Sequence, residues 1–543
     1  MAPHPPMDGP SEGATPAVVR PVSSLIATLP TAASLHRTID QFYEEAHATM
    51  DKPPPQSAWD HSKVMGARLG YFCIFVALGL ANVGDAAEIG SMGFLLANDD
   101  FRTEVVRGND GLVAAALYLG MLFGGLIAGP LCDLTGRRNV LLYGLVLNSG
   151  FGVGAALSES AFQLILCRLF MGFGVGSIVS CLLALTSEHT PPRHRGFYLN
   201  FVSAFWTIGS IYVAALALIL FGRLDRSWRL YVLANAVPSI VSLILVLCFV
   251  PESARFLAVH GNHERAAKVA NRVASSMGYN GEKLKENEIR AHFPLMKDLP
   301  LQYQSSFRGG LSKSLEKVSS LYSSVSCGRT CGVQMLWFFV SFGSGMCLWV
   351  ARVFSELTFV ANLYTMTFFF SLASIPGVFV AGYVMDKMDR KKLLTVSLIL
   401  TAVSLAAFGF LTLFTEMAWL IVLSACLFHC CLVVSWSVLS VVTAEIFPTT
   451  VRATAMGVCS SSGRLGSVLV HLISAPIVEY HNPSVLLFVG AGSFALAIIT
   501  SIISNIQSKT GQPLQDLENP MSRENNLASG KNADKSGRSV ARE

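Results

Sequence analysis

The sequence predicts an all-α membrane protein with twelve transmembrane helices in two pseudo-symmetric six-helix bundles. Three observations carry that expectation: composition, the recurrence of long apolar runs, and a repeat between the two halves of the chain. Of 543 residues, 52% are hydrophobic and only 14% are Asp, Glu, Lys or Arg. A soluble domain carries about 25% charged residues, and the mean hydropathy of +0.51 points the same way. Seventy-five charges cannot solvate the surface of a soluble multidomain enzyme of this length. The net charge of +5 is small, and no basic block interleaved with aromatics occurs, so a nucleic-acid binder is excluded as well.

In chain order, residues 1–68 read as a disordered cytoplasmic tail, with Pro5-Pro6 and Pro53-Pro54-Pro55 bracketing a stretch rich in Ala, Ser and Thr. No apolar core with a cleavage site stands at its start, so it is not a secretory signal. Asp40, Glu44 and Glu45 count against an organelle transit peptide. From Leu69 onward, runs long enough to cross a ~30 Å hydrocarbon core recur near 69–97, 111–132, 138–157, 161–183, 196–221 and 229–250. The segment 251–329 is a polar central loop. Six further spans follow near 330–351, 361–384, 391–411, 417–443, 453–477 and 483–505, and 506–543 reads as a disordered cytoplasmic tail. An even number of spans puts both ends on one side. The short loops on that side hold nine Lys and Arg against six on the other, and the central loop is strongly basic, so both termini are expected to be cytoplasmic.

Two patterns recur between the halves. Gly129 to Arg138 (GPLCDLTGRR) matches Gly382 to Lys391 (GYVMDKMDRK) at an offset of 253. Glu188, Pro191 and Arg195 match Glu445, Pro448 and Arg452 at 257, and Gly209-Ser210 falls on Gly466-Ser467 at the same offset. Both patterns fall on loops of the cytoplasmic side, after spans 2 and 4 of each half. Parallel six-helix repeats are the pattern of a secondary transporter with its site between the repeats.

The Gly-x-x-x-Asp-x-x-Gly-Arg-Arg loop at 129–138 resembles the signature of the major facilitator superfamily, over roughly residues 65–505. Pro251-Glu252-Ser253-Ala254-Arg255-Phe256 after span 6 resembles sugar-porter and organic-ion transporters. Asp85-Ala86-Ala87-Glu88-Ile89 and Phe205-Trp206-Thr207-Ile208-Gly209 resemble the synaptic-vesicle-2-related group. Ala444 to Arg452 and Gly463-Arg464-Leu465-Gly466-Ser467 resemble both that group and the organic-anion transporters. The resemblance implies alternating access around a cavity lined by spans 1 and 4, in a membrane transporter rather than an enzyme.

A charge inside a span costs several kcal/mol unless it is paired or faces water. Four stand out: Asp85, Glu88, Arg168 and Arg464. At 1.5 Å per residue, Asp85 lies roughly 24 Å and Arg168 roughly 20 Å from the cytoplasmic face. An Asp85–Arg168 pair is therefore expected, with Glu88 one turn further out, as a proton-coupling pair or a static ion pair. Related sugar porters use a span-1 Asp and a span-4 Arg in this way. Arg464, near the midplane, matches the arginine of organic-anion transporters and suits a carboxylate or sulfate, or else forms an interhelical pair, for example with Glu356. Span 8, by contrast, has no Lys in its apolar part, where many anion carriers place a second positive charge. Trp206, Trp337 and Trp436 are the expected substrate-facing aromatics among Tyr118, Phe205, Phe338, Trp349 and Tyr364; His429 and His471 are expected to be packed and hydrogen-bonded. Asp133, Gly136, Arg137, Arg138, Glu188, Arg195, Asp386, Arg390, Glu445 and Arg452 are the expected gating set, with Arg137 and Arg138 reaching acids and helix ends on the adjoining bundle.

No cofactor or metal is expected. The 12 cysteines lie mostly in apolar runs without CxxC pairs, and Gly172-x-Gly174-x-Gly176 is not preceded by a strand. It reads, like Gly120-x-x-x-Gly124 and Gly125-x-x-x-Gly129, as close helix packing. The resulting expectation is a monomeric, proton-coupled symporter of a small organic ion, foremost an aromatic or nicotinate-like carboxylate. It would sit in the plasma membrane or an intracellular vesicle membrane. An organic cation or sugar carrier, or a non-transporting sensor or scaffold on the same fold, are the alternatives.

Overall fold

The computed structural model describes residues 37–50, 58–292, 318–319, 321–322, 327–355, 363–385, 387–414, 417–447, 452–480 and 484–504. Twelve helical spans are present among the described residues. The first half comprises Ala58–Leu96, Asp110–Thr135, Arg137–Ala156, Ala161–Glu188, Arg195–Leu220 and Trp228–Phe249. In the second half, span 7 runs as Cys327–Ser344 and Met346–Ser355, and span 8 as Leu363–Leu372 and Ser374–Met385. Arg390–Phe414, Ala418–Ile446, Arg452–Tyr480 and Ser484–Ile503 complete it. Eleven of the twelve are long and apolar enough to cross a membrane by length and composition. Arg452–Tyr480 falls short, because Ser460-Ser461-Ser462-Gly463-Arg464 and His471 dilute its hydropathy.

The breaks have local causes. Gly345 interrupts span 7 where it meets Val470 and His471 of span 11, and a Cβ there would collide with Val470. In span 8, Pro376 has no N–H to give the carbonyl of Leu372, where the first segment ends.

The repeat seen in the sequence is a repeat of packing. Within the first half, span 2 packs on 4, 3 on 4, 1 on 5, 1 on 6 and 3 on 6. The second half pairs 8 with 10, 9 with 10, 7 with 11, 7 with 12 and 9 with 12, the same five pairs six spans later. Spans 2 and 4 approach so closely that a Cβ on Gly120, Gly124, Gly172 or Gly176 would strike a backbone carbonyl of the neighbour. Gly129 has open space around it and Gly125 only ordinary contacts, so the Gly125–Gly129 pair does not share this role. Gly120→Ala is expected to lower stability by about 1–3 kcal/mol through overpacking, and Gly129→Ala to leave it unchanged. Thermal unfolding of the purified protein reads both.

The halves meet through span 2 on span 11, span 5 on the first part of span 8, and span 1 on the second part of span 7. Several of these contacts sit at the end remote from the 132–138 turn. A Cβ on Gly93 would lie 2.5 Å from the carbonyl of Leu348, and one on Gly111 2.8 Å from Ala475. The Phe221 and Tyr364 rings are 5.5 Å apart, and Arg352 lies 4.0 Å from Asp99.

At the opposite, basic end, the segment expected to be a disordered tail contains the helix Arg37–Ala48, and span 1 begins at Ala58 rather than Leu69. That helix buries Ile39, Phe42, Tyr43 and Ala46. Its spacing places them on one face, and the helix packs against His263–Ser276 and Glu286–His292 of the central loop. Asp40 pairs with Arg255 and, at 3.7 Å, with Arg195. The helix is held by burial together with these charges, which single-segment hydropathy cannot reveal.

Candidate functional site

Span 1 presents two carboxylates one turn apart. Asp85 and Glu88 are both buried, as is Arg168 on span 4. Arg168 does not pair with Asp85 as expected. Its Nη1 lies 3.9 Å from Glu88 Oε2 and donates to the Glu88 carbonyl at 3.2 Å. The reason is axial position. Counted from the far end, Arg168 is seven residues into span 4 and Glu88 eight residues from the end of span 1, roughly 10 and 12 Å deep. Asp85 is a turn deeper. Counting both spans from one end would have identified the pair. Gly152 of span 3 leaves room for Glu88: a Cβ there would stand 3.5 Å from Oε1. The Glu88–Arg168 pair is thus enclosed within the first half.

Asp85 is held on the other side of the turn. Span 6 presses Ser239 into Gly84, and Ser242 donates to the carbonyl of Ala77 at 2.8 Å. Span 5 presses Gly209 onto Val83 and Ala86, with space for a glycine alone: a Cβ would come 2.7 Å from both. Asn82 donates to the Val202 carbonyl at 3.1 Å. Span 1 is therefore clamped on either side of Asp85, yet neither carboxylate oxygen has a hydrogen-bond partner among the described residues. The cation whose field acts on Asp85 is Arg464, from span 11 of the other half.

Arg464 owes its place to its flanking glycines. A Cβ on Gly463 would come 2.5 Å from Ser341 Oγ, and one on Gly466 2.5 Å from the Phe338 carbonyl. These two glycines, three residues apart, seat span 11 on span 7. Arg464 lies about 100° round the helix from Gly463. Tyr118 of span 2 lies within the field of both Arg464 and Arg168. Its ring is 4.8 Å from that of His471, whose Nδ1 accepts from Trp349 Nε1 at 3.3 Å. His471 thus packs between the halves. His429 packs within the second half, its ring 4.4 Å from Phe370 and its Nδ1 2.7 Å from the Phe370 carbonyl.

Of the three tryptophans, two come together. Trp337 and Trp436 make an edge-to-face pair at 5.4 Å, and Trp337 Nε1 donates to Thr443 at 2.9 Å. Trp337 also borders Gly463, so this pair forms a wall beside the base of Arg464. Trp206 is partly exposed on span 5 and is not part of that wall.

At the basic end, the repeated sequence patterns produce the same ion pair twice. Arg137 Nε lies 3.1 Å from Glu188 Oε1, and Arg390 Nη1 2.5 Å from Glu445 Oε1. Each joins the turn after the second span of its half to the end of the fourth. Gly136 turns the chain with φ +101°, and a Cβ there would strike Glu252. Arg138 caps span 6, donating to the carbonyls of Val250 at 2.7 Å and Leu247 at 3.2 Å. Arg137 and Arg138 were expected to reach the adjoining bundle; their described contacts stay within their own half. Asp386, Glu356 and the side chains of Asp133 and Arg452 lie outside the described residues.

A family model described as sugar (and other) transporter matches residues 72–518. Synaptic vesicle glycoprotein 2B of Mus musculus is 31% identical over 211 residues, covering 37% of this chain and 31% of that protein. Synaptic vesicle glycoprotein 2A of Rattus norvegicus is 32% identical over 211 residues, covering 37% and 28%. The chain thus spans about a third of the length of the curated relatives it matches. The inward-open xylose transporter XylE from E. coli superposes with a TM-score of 0.64 at 18% identity, covering 82% of this chain and 99% of that one. The proton:xylose symporter XylE bound to 6-bromo-6-deoxy-D-glucose superposes with a TM-score of 0.61 at 19% identity, covering 82% and 98%. At that identity the likeness concerns the fold.

Proposed function

This chain belongs to the sugar (and other) transporter family, and on that premise we propose that it carries a small organic anion by alternating access, coupled to protons. One observation carries the reading. A buried carboxylate with no hydrogen-bond partner among the described residues, Asp85, lies in the field of an arginine supplied by the opposite half, Arg464. Every other charge pair described above lies within one half or at its surface.

The chemistry follows from competition for one cation. While Asp85 is ionised, it neutralises Arg464 across the interface and draws the halves together. A proton on Asp85 removes that partner and leaves the Arg464 guanidinium free for a carboxylate or sulfate, which it can bind bidentately. Substrate and proton then occupy the site together, and the loaded site is electrically balanced in a low-dielectric interior where imbalance is costly. The Trp337–Trp436 wall favours a flat, aromatic acid. The repeated Arg137–Glu188 and Arg390–Glu445 pairs stiffen each half at the basic end, so that the halves rock as units. The Lys and Arg distribution supports cytoplasmic termini, and the names of the curated relatives suggest a vesicle membrane.

The second reading is a neutral sugar. The family description and the xylose transporters of the same fold favour it. Uptake into proteoliposomes separates the two. With an inward proton gradient, an aromatic monocarboxylate is expected to accumulate against its concentration, whereas hexoses, pentoses and organic cations stay at equilibrium. Accumulation of a sugar or cation with no response to carboxylates would overturn the anion assignment.

A further inference from the structure

A cleft of about 420 Å³ opens at the basic end of the first half, remote from Asp85 and Arg464. Arg138, Arg265 and Arg272 line it, with Glu252 and Phe256 on its walls. Arg265 and Arg272 stand seven residues apart on the helix His263–Ser276, hence on one face two turns apart. The opposite face of that helix is anchored by buried Ala266, Ala270 and Ala274. Arg272 Nη2 donates to the Cys248 carbonyl at 3.4 Å, and Arg138 caps the same span end, so both arginines are fixed at the mouth of span 6.

Three guanidinium groups meet one carboxylate here. Glu252 accepts the main-chain N–H groups of Arg138 at 3.1 Å and Ser253 at 3.0 Å. Neither Arg265 nor Arg272 forms an ion pair among the described residues. The cleft therefore carries an excess of positive charge.

Its other neighbour fixes the anion's source. The cleft adjoins an apolar crevice of about 100 Å³ between Gly70 and Ile74 of span 1 and Phe249 of span 6. Pro251 and Arg272 are common to both. Leu247 and Phe249, at the end of a membrane span, are exposed beside it. Arginines at headgroup depth opening onto an apolar slot match a charged headgroup joined to an acyl chain. We propose that this cleft binds an anionic phospholipid, with the phosphorylated headgroup between Arg138, Arg265 and Arg272 and the start of an acyl chain in the crevice. Arginine suits the phosphate because its planar fork bonds two oxygens at once.

The test uses the full chain in neutral detergent and follows thermal unfolding. The probes are a short-chain phosphatidylinositol phosphate, phosphatidylcholine of equal chain length, and free inositol phosphate. The phosphorylated lipid is expected to raise the midpoint saturably, and the other two to leave it unchanged. Arg265→Ala with Arg272→Ala, both exposed positions, should weaken the apparent affinity about tenfold or more, while Lys268→Ala on the same helix keeps it. Arg265→Gln alone, read by lipid adducts in native mass spectrometry, gives the same answer if the double variant does not fold. Equal stabilisation of the double or single variant by the lipid overturns the site. Stabilisation by free inositol phosphate as strong as that by the lipid overturns the lipid assignment and makes the occupant a soluble phosphate.

Discussion

Arg464→Ala is expected to lower carboxylate uptake about 100-fold, and Asp85→Asn to abolish proton-driven accumulation while sparing exchange. The two results together separate the roles assigned to the pair. Arg464 is the described cation whose field reaches a buried carboxylate of the opposite half, whereas Arg352 meets the exposed Asp99. Removing a half-buried cation from a bidentate contact costs about 2–5 kcal/mol, and each 1.4 kcal/mol is tenfold. Asn at position 85 resembles the protonated acid in shape and charge. It leaves Arg464 open to the anion at every pH but has no proton to carry. Labelled carboxylate should therefore equilibrate across Asp85→Asn proteoliposomes by counterflow, and an imposed pH gradient should no longer raise the internal concentration. The wild-type ceiling for one proton per anion is about tenfold per pH unit. If Asp85→Asn still concentrates the anion on a pH gradient, Asp85 is not the coupling group. If Arg464→Ala keeps full carboxylate uptake, the anion does not bind there.

Arg168→Ala is expected to destabilise the first half by about 3–5 kcal/mol, because it leaves the Glu88 carboxyl buried without its cation. The diagnostic step is the second substitution. Arg168→Met combined with Glu88→Leu removes both charges and should recover most of the loss, since replacing a buried pair by apolar groups of similar volume is close to neutral. A fluorescence-detected melting curve of each variant reads this directly. A double variant as unstable as Arg168→Ala would mean that Arg168 acts through its packing rather than through Glu88.

The two carboxylates of span 1 thus divide the work. Glu88 serves a pair inside one half, and Asp85 faces across the interface. Nothing in their local sequence distinguishes them: they are three residues apart in Asp85-Ala86-Ala87-Glu88, both in an apolar helix. Depth counted from opposite ends of spans 1 and 4 suggested the wrong partner because span 1 is longer than its apolar run. The structure starts it at Ala58, and the error in its beginning became an error in depth. The gating residues were read with a similar limit. The repeat identified Glu188 and Arg195, and Glu445 and Arg452, as equivalent sets. It could not show that Glu188 takes Arg137 and leaves Arg195 to Asp40 on a helix thought to be tail.

Some properties were determined by the chain alone. Apolar runs of bilayer length, scarce charge and a repeat at nearly constant offset are one-dimensional, because a bilayer demands that each span satisfy its own backbone and bury its own apolar surface. Span number, two-fold architecture, the turn at Gly136 and the four costly charges were therefore legible without coordinates. The choice of partners was not. Whether Arg168 meets Asp85 or Glu88, whether Arg464 faces its own half or the other, and whether Arg37–Ala48 docks depend on helix rotation and on which glycines let two backbones close. Those are set by contacts between segments far apart in sequence, and only tertiary packing decides them.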